Sequence, residues 1–178
     1  RNNMRNFLWA DPHGGHGKIC LYAKRYKFMS PEEIALCEAT PDDKLRYLDV
    51  SKETTFKMNE GLISGYNSRV TNDDTCYIIG DVYFKSTPET AKQWLERLNG
   101  HKIIIRGNHD GKHNGVNTII DCIHATFANQ RICMVHKPTH ANPEFPINFV
   151  GHVHGAWRIR YFNEYYKSIE NIMINKTE

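Results

Sequence analysis

The sequence predicts an α/β fold, and three observations predict it. Short apolar runs recur along the chain and stop at Asp, Asn or His. Segments with helical spacing of apolar residues lie between the early runs. The 178 residues, 40% of them hydrophobic, suffice to fill the core of one domain of ordinary size, taken here as residues 1–178.

The elements follow in order. Asn6–Ala10 is a short apolar run that reads as a buried strand and ends at Asp11, with Gly14-Gly15 marking the loop beyond. Ser30-Pro31-Glu32-Glu33 is a capping box with proline at the first helical position, which predicts a helix over about 31–38. Phe56, Leu62, Ile63, Tyr66 and Val70 recur at helical spacing and predict a helix over about 54–69. Asn72-Asp73-Asp74 is a turn, and Thr75–Ile79 is a β-branched run stopping at Gly80-Asp81. Pro88–Leu98 reads as a helix capped by Thr87 and closed by Asn99-Gly100. Ile103–Ile105, Arg131–Val135 and Ile147–Val150 are further strands, stopping at Gly107-Asn108-His109-Asp110, at His136 and at Gly151-His152. Trp157–Phe162 alternates large and charged residues as an exposed strand would; Glu164–Glu178 fits strand, helix or a frayed end equally well.

Composition narrows the function. Lys plus Arg exceed Asp plus Glu by 23 − 20 = +3, too little to argue for nucleic acid by itself. No apolar run approaches the ~18–20 residues of a membrane span, and the apolar stretch after the basic start is too short for a signal-peptide core, so no membrane partner is expected. Met4 is a candidate natural start. The five cysteines, Cys20, Cys37, Cys76, Cys122 and Cys133, are odd in number and form no CxxC pair, which points to free thiols and a reducing cytoplasm, or a host cytoplasm if the source is a phage. Cys20 and Cys133 read as packing residues, Trp9 and Trp94 as core, and His101, His113 and His124 as surface residues.

The ten histidines are the unusual feature. Collected at the strand ends are Asp11 and His13, Asp81, Asn108, His136, and His152 and His154, with His109 left over. These are oxygen and nitrogen donors without thiolate, which suits Mn, Fe, Ni or Zn. The alternation in Asp11-Pro-His13 and His152-Val-His154 sends both side chains to one side of an extended backbone. Seven groups exceed one tetrahedral ion and suit two ions sharing a carboxylate.

These motifs, Asp11-Pro-His13, Gly80-Asp81, Gly107-Asn108-His109-Asp110, His136 and Gly151-His152-Val-His154, resemble the calcineurin-like metallophosphoesterases from Phe7 to about Gly155. The stretch Asp11–His16, the segment Met58–Asp74 and the run Leu98–Asp110 resemble the small single-domain bacterial and phage branch. The resemblance implies a two-sheet α/β sandwich flanked by helices. Asp11, His13 and His154 would hold one divalent metal ion, manganese first. Asn108, His136 and His152 would hold the second, with Asp81 bridging. A metal-bridging water or hydroxide would attack phosphorus, and His109 would stabilise the phosphoryl oxygens or protonate the leaving oxygen. Asp110 would orient the His109 ring or simply hold a turn. Arg106 would pair with a phosphate or be a solvated charge at a strand end. His16 would contact substrate, and His140 would line the cleft.

The chain departs from the pattern in places. Pro12 stands at the variable position of the first motif, Gly14 replaces a bulkier residue, and the region after Gly155 is least similar. The expected activity is hydrolysis of a phosphoester, leaning to a phosphodiester such as a nucleotide or nucleic-acid end, in an open site without a cap. The rival expectations are a catalytically idle binding module of the same fold, as in the retromer subunit, and a nuclease.

Overall fold

The computed structural model describes residues 4–84, 90–110 and 120–161. The fold is α/β, with two small sheets and several helices. The first sheet is parallel, in the order β1 (Asn6–Ala10), β2 (Thr75–Ile79), β3 (His101–Ile105). Its register is flush: Asn6, Thr75 and His101 align at one end, and Ala10, Ile79 and Ile105 at the other. Three polar loops therefore leave the sheet side by side.

Alternation assigns the two faces. Phe7, Trp9, Cys76, Ile78 and Ile104 turn to one side and meet Ile63, Tyr66 and Val70, together with Trp94, Leu95 and Leu98. Those partners come from α3 (Lys52–Asn67) and α4 (Ala91–Glu96) and the residues that follow them. Ala10, Tyr77, Ile79 and Ile105 turn to the other side and meet Ile123, Ile132, Met134 and Phe149 of the second sheet. That sheet pairs β4 (Cys122–Phe127) antiparallel with β5 (Gln130–Val135), and β5 parallel with β6 (Ile147–Val150). The layers run helices, parallel sheet, second sheet. Trp94 is fully buried at the helix–sheet interface, where truncation to alanine costs about 3–5 kcal/mol.

A smaller cluster joins α1 (Ile19–Tyr22), α2 (Pro31–Ala39) and α3 through Leu21, Phe28, Cys37, Leu45 and Met58. It braces the long loop that follows β1. The capping box of α2 forms as expected: Glu33 N donates to Ser30 Oγ, and Ser30 N donates to the Glu33 carboxylate. α3 begins two residues before its expected start, because Ser51 Oγ caps it by accepting from Thr54 N.

Several expectations change. The fourth helix is Ala91–Glu96, where Thr90 and Gln93 form a capping box; the expected start and cap, Pro88 and Thr87, lie outside the described residues. β4 is a strand that the apolar-run reading passes over. Trp157–Tyr161 is irregular rather than a strand, and residues 162–178 lie outside the described set. Among the described residues no helix is long and apolar enough to cross a membrane. All five cysteines are free.

Candidate metal centre

The flush strand ends put the first two loops in contact. The β1–β2 ladder runs on beyond the strands: His13 N donates to the Asp81 carbonyl at 2.9 Å, and Gly14 N to the Val82 carbonyl at 3.0 Å. The second sheet supplies the rest. His136 directly follows β5, and Gly151 N donates to its carbonyl at 2.9 Å. His152 N then donates to both oxygens of Asp11, at 3.0 and 2.9 Å, tying the last motif to the first across 141 residues.

Two groups of donors result. Asp11, His13 and His154 form one and Asp81, His136 and His152 the other, with the ligand atoms of each group within 4.8 Å of one another. Asp81 Oδ2 lies 3.5 Å from His13 Nε2 and 3.4 Å from His136 Nε2, so one carboxylate oxygen stands between an imidazole of each group. Asn108 Oδ1 joins the second group, 3.0 Å from His136 Nε2 and 2.8 Å from His152 Nδ1. The seven residues expected as ligands are thus brought together.

The donors fit a cation. His13 Nε2 is buried and has no hydrogen-bond partner, a costly condition for a polar atom that a bound cation would relieve. His136 Nδ1 lies 3.0 Å from the Ile79 carbonyl, which can only accept. In the neutral ring this leaves the Nε2 lone pair facing Asp81, the outer-shell arrangement of a metal-binding histidine.

The backbone is strained at the same place. Asp11, His13, Asp81, His152 and His154 all have positive φ, between 48° and 71°. Residues with side chains seldom adopt this region, and such strain clusters at functional sites. Gly80 also has positive φ, and a Cβ there would collide with the His136 ring. Gly107 has no room for a Cβ either, because Asp81 fills the space.

Electrostatics keep most of the imidazoles neutral. Burial, countered in part by Asp81, pushes His13 down to about 3. Burial and the nearby His109 ring push His16 down to about 4. Burial also lowers His152 and His154. Burial raises Asp11 to about 6 against the opposing pull of the His152 amide and His136. For Asp81 and His136 burial is outweighed: His136 and the His109 amide hold the carboxyl below its usual range, and Asp81 with the Ile79 carbonyl holds the imidazole above its own. Neutral imidazoles carry the free lone pairs that ligation needs.

Around this core, the expected substrate and catalytic residues fare differently. His109 is exposed; its backbone N donates to Asp81 Oδ1 at 2.9 Å and its ring lies 5.8 Å from those of His13 and Phe84. His16 is half-buried and stacks on Phe84 at 4.3 Å. Asp110 takes the turn role: its carboxylate accepts from Asp81 N, Val82 N and Gly107 N at 2.8, 2.9 and 2.8 Å. It positions the loops that carry the ligands. Arg106 is exposed at the end of β3 and pairs with Asp121 at 3.0 Å. His140 is exposed and belongs to neither donor group; His113 lies outside the described residues.

Three contributors were not among the expected site residues. Arg25 donates to the carbonyls of Asp11 and Pro12, both at 2.8 Å, and holds the first loop in its strained turn. Asn59, buried on α3, accepts from Gly15 N at 2.8 Å. Phe84 supplies the face against which His16 stacks. The sequence signals for Asn59 are its place in the Met58–Asp74 segment and a polar residue on the inner face of an amphipathic helix.

No family model matches the chain. It is 27% identical over 161 residues to MJ1445, an uncharacterized protein of Methanocaldococcus jannaschii, covering 89% of this chain and 72% of that one. The crystal structure of AQ665, a protein of unknown function from Aquifex aeolicus, is similar with a TM-score of 0.49 and 18% identity, over 79% of this chain. This chain spans 64% of that structure's length.

Proposed function

We propose that this chain is a calcineurin-like metallophosphoesterase that hydrolyses a phosphodiester. The observation that carries the reading is the place of Asp81 Oδ2, between His13 of one donor group and His136 of the other. A carboxylate shared by two oxygen-and-nitrogen donor sets suits a pair of divalent cations, manganese first, with iron, nickel or zinc as alternatives. Such a pair supplies positive charge to phosphoryl oxygens and lowers the pKa of a coordinated water. Asp11, His13 and His154 would hold one ion, Asn108, His136 and His152 the other.

The remaining steps belong to side chains of this chain. His109, on the exposed rim beside Asp81, holds the proton that the leaving oxygen takes. His16, braced on Phe84, forms an aromatic wall that fits an aryl or nucleobase group of the substrate. Asn108, His109, His152 and His154 are all exposed, so a diester with a group on each side of phosphorus can enter. Asp110 and Arg25 keep the loops in register. The free thiols fit a reducing cytoplasm, with a nucleotide or nucleic-acid end as the substrate class.

The test is hydrolysis of bis(p-nitrophenyl) phosphate by the purified chain. Turnover with added Mn²⁺, lost in chelator and restored by metal, is expected. Stoichiometric metal binding without turnover of any aryl phosphate would replace the enzyme reading with that of a binding module.

A further inference from the structure

A second set of donors lies on the outer face of the second sheet. Cys122, His124 and Cys133 place one sulfur, one ring nitrogen and one sulfur within 4.8 Å of one another. The sheet geometry accounts for the convergence. Cys122 and His124 are two residues apart on β4 and so share a face, while Ile123, Ala125 and Phe127 turn inward to the sandwich core. On β5, Cys133 and Val135 face outward, and Cys133 is directly opposite His124. Both connecting residues, Ala128 and Asn129, have positive φ, as a two-residue hairpin turn of the type I′ class requires, and that turn fixes the register.

We infer that Cys122, His124 and Cys133 form a mononuclear site for a zinc-class divalent cation, separate from the oxygen-and-nitrogen centre at the strand ends. The two sulfurs are 3.9 Å apart. Two thiolates at about 2.3 Å from a tetrahedral zinc ion are separated by about 3.8 Å, whereas a disulfide requires about 2.05 Å. His124 is exposed and its ring packs on Phe145 at 4.2 Å, which limits its rotation. Burial, with Cys122 alongside, pushes the Cys133 thiol up to about 11, so the cation displaces protons as it binds: one divalent ion and two thiols give the bis-thiolate complex and two protons. Three protein donors leave the fourth position of a tetrahedral ion to solvent.

The experiment titrates the reduced, metal-free full chain with Co²⁺. Cobalt bound by thiolate absorbs in the near ultraviolet through sulfur-to-metal charge transfer; cobalt at the strand-end centre, which has no sulfur, does not. At saturating Co²⁺ the band should have the amplitude of one bis-thiolate site per chain, the same in Asp81→Asn as in the parent, and it should fall when Zn²⁺ is added. Cys122→Ser, an exposed position, should abolish it with the circular dichroism unchanged. His124→Ala should weaken binding by about tenfold or more. Absence of the band in the reduced parent, or its persistence in Cys122→Ser, overturns the site.

Discussion

The two ends of the parallel sheet each bury carboxylates, and they treat them in opposite ways. At the end where the strands begin, Asp74 is almost fully buried and saturated with hydrogen bonds. It accepts from Arg5 through the backbone N, Nε and Nη2, and from Thr71 through N and Oγ1, at 2.8 to 3.2 Å. Those donors hold its carboxyl well below the usual carboxylate range. At the end where the strands stop, Asp11 and Asp81 are also buried, but histidines crowd them, the buried ring nitrogens His13 Nε2 and His16 Nδ1 lack a hydrogen-bond partner, and the backbone is strained at five donor residues. A buried charge with every lone pair satisfied stabilises a fold. A cluster of electron-pair donors left facing one another is arranged for something that arrives later.

The largest effect should come from Asp81→Asn. It should lower diester hydrolysis by at least about a thousandfold and remove one of two bound ions, measured by rate and by metal analysis on the same sample. Retention of both ions would break the contrast between the two ends. His109→Ala should come next, with both ions kept and turnover reduced by about 10²–10⁴-fold; loss of metal instead would make His109 a ligand. Asp74→Ala should behave in the opposite way. Its metal content and activity per folded molecule should hold, while the Tm drops by roughly 5 °C or more.

The smallest effect concerns pH. His13 and His16, pushed to about 3 and about 4 from 6.5, bind fewer protons in the native state than when unfolded over the interval between those values. The stability of the metal-free chain should therefore decline as the pH falls from 6.5 toward 4. Asp11, raised to about 6 from 3.8, acts with the opposite sign below pH 6. One carboxyl offsets only part of two imidazoles, so the net slope stays downward. Metal affinity should also fall below pH 6 as Asp11 takes up a proton. Denaturation midpoints and metal titrations between pH 4 and 7.5 measure both.

Much of this centre was legible in the sequence because its donors sit where apolar runs stop. Ile79, Val135 and Val150 announce strand ends, and the polar residue just beyond each run is then a site candidate. What was not legible depends on tertiary contacts. Nothing local to Arg106 says that Asp121 returns beside it, which happens because Ile120 bridges to Ile105. Nothing around Asp110 shows that amides from residues 81, 82 and 107 will converge on its carboxylate. β4 is not marked because Cys122–Phe127 mixes polar and apolar residues, without the run of β-branched residues that marks β2 and β3. His124 and Cys133, read separately as a surface residue and a packing residue, become neighbours only once the hairpin register is known. Positive φ at Asp11 or His154 is equally hidden, since neither residue is a glycine.

If two cations share Asp81, both should scatter beside it. Crystals grown with Mn²⁺ and measured for anomalous scattering test this most directly. Two peaks per chain are expected at the strand-end centre, one among Asp11, His13 and His154 and one among Asn108, His136 and His152, with Asp81 Oδ2 between them. A single peak there, or manganese bound only elsewhere, would contradict this.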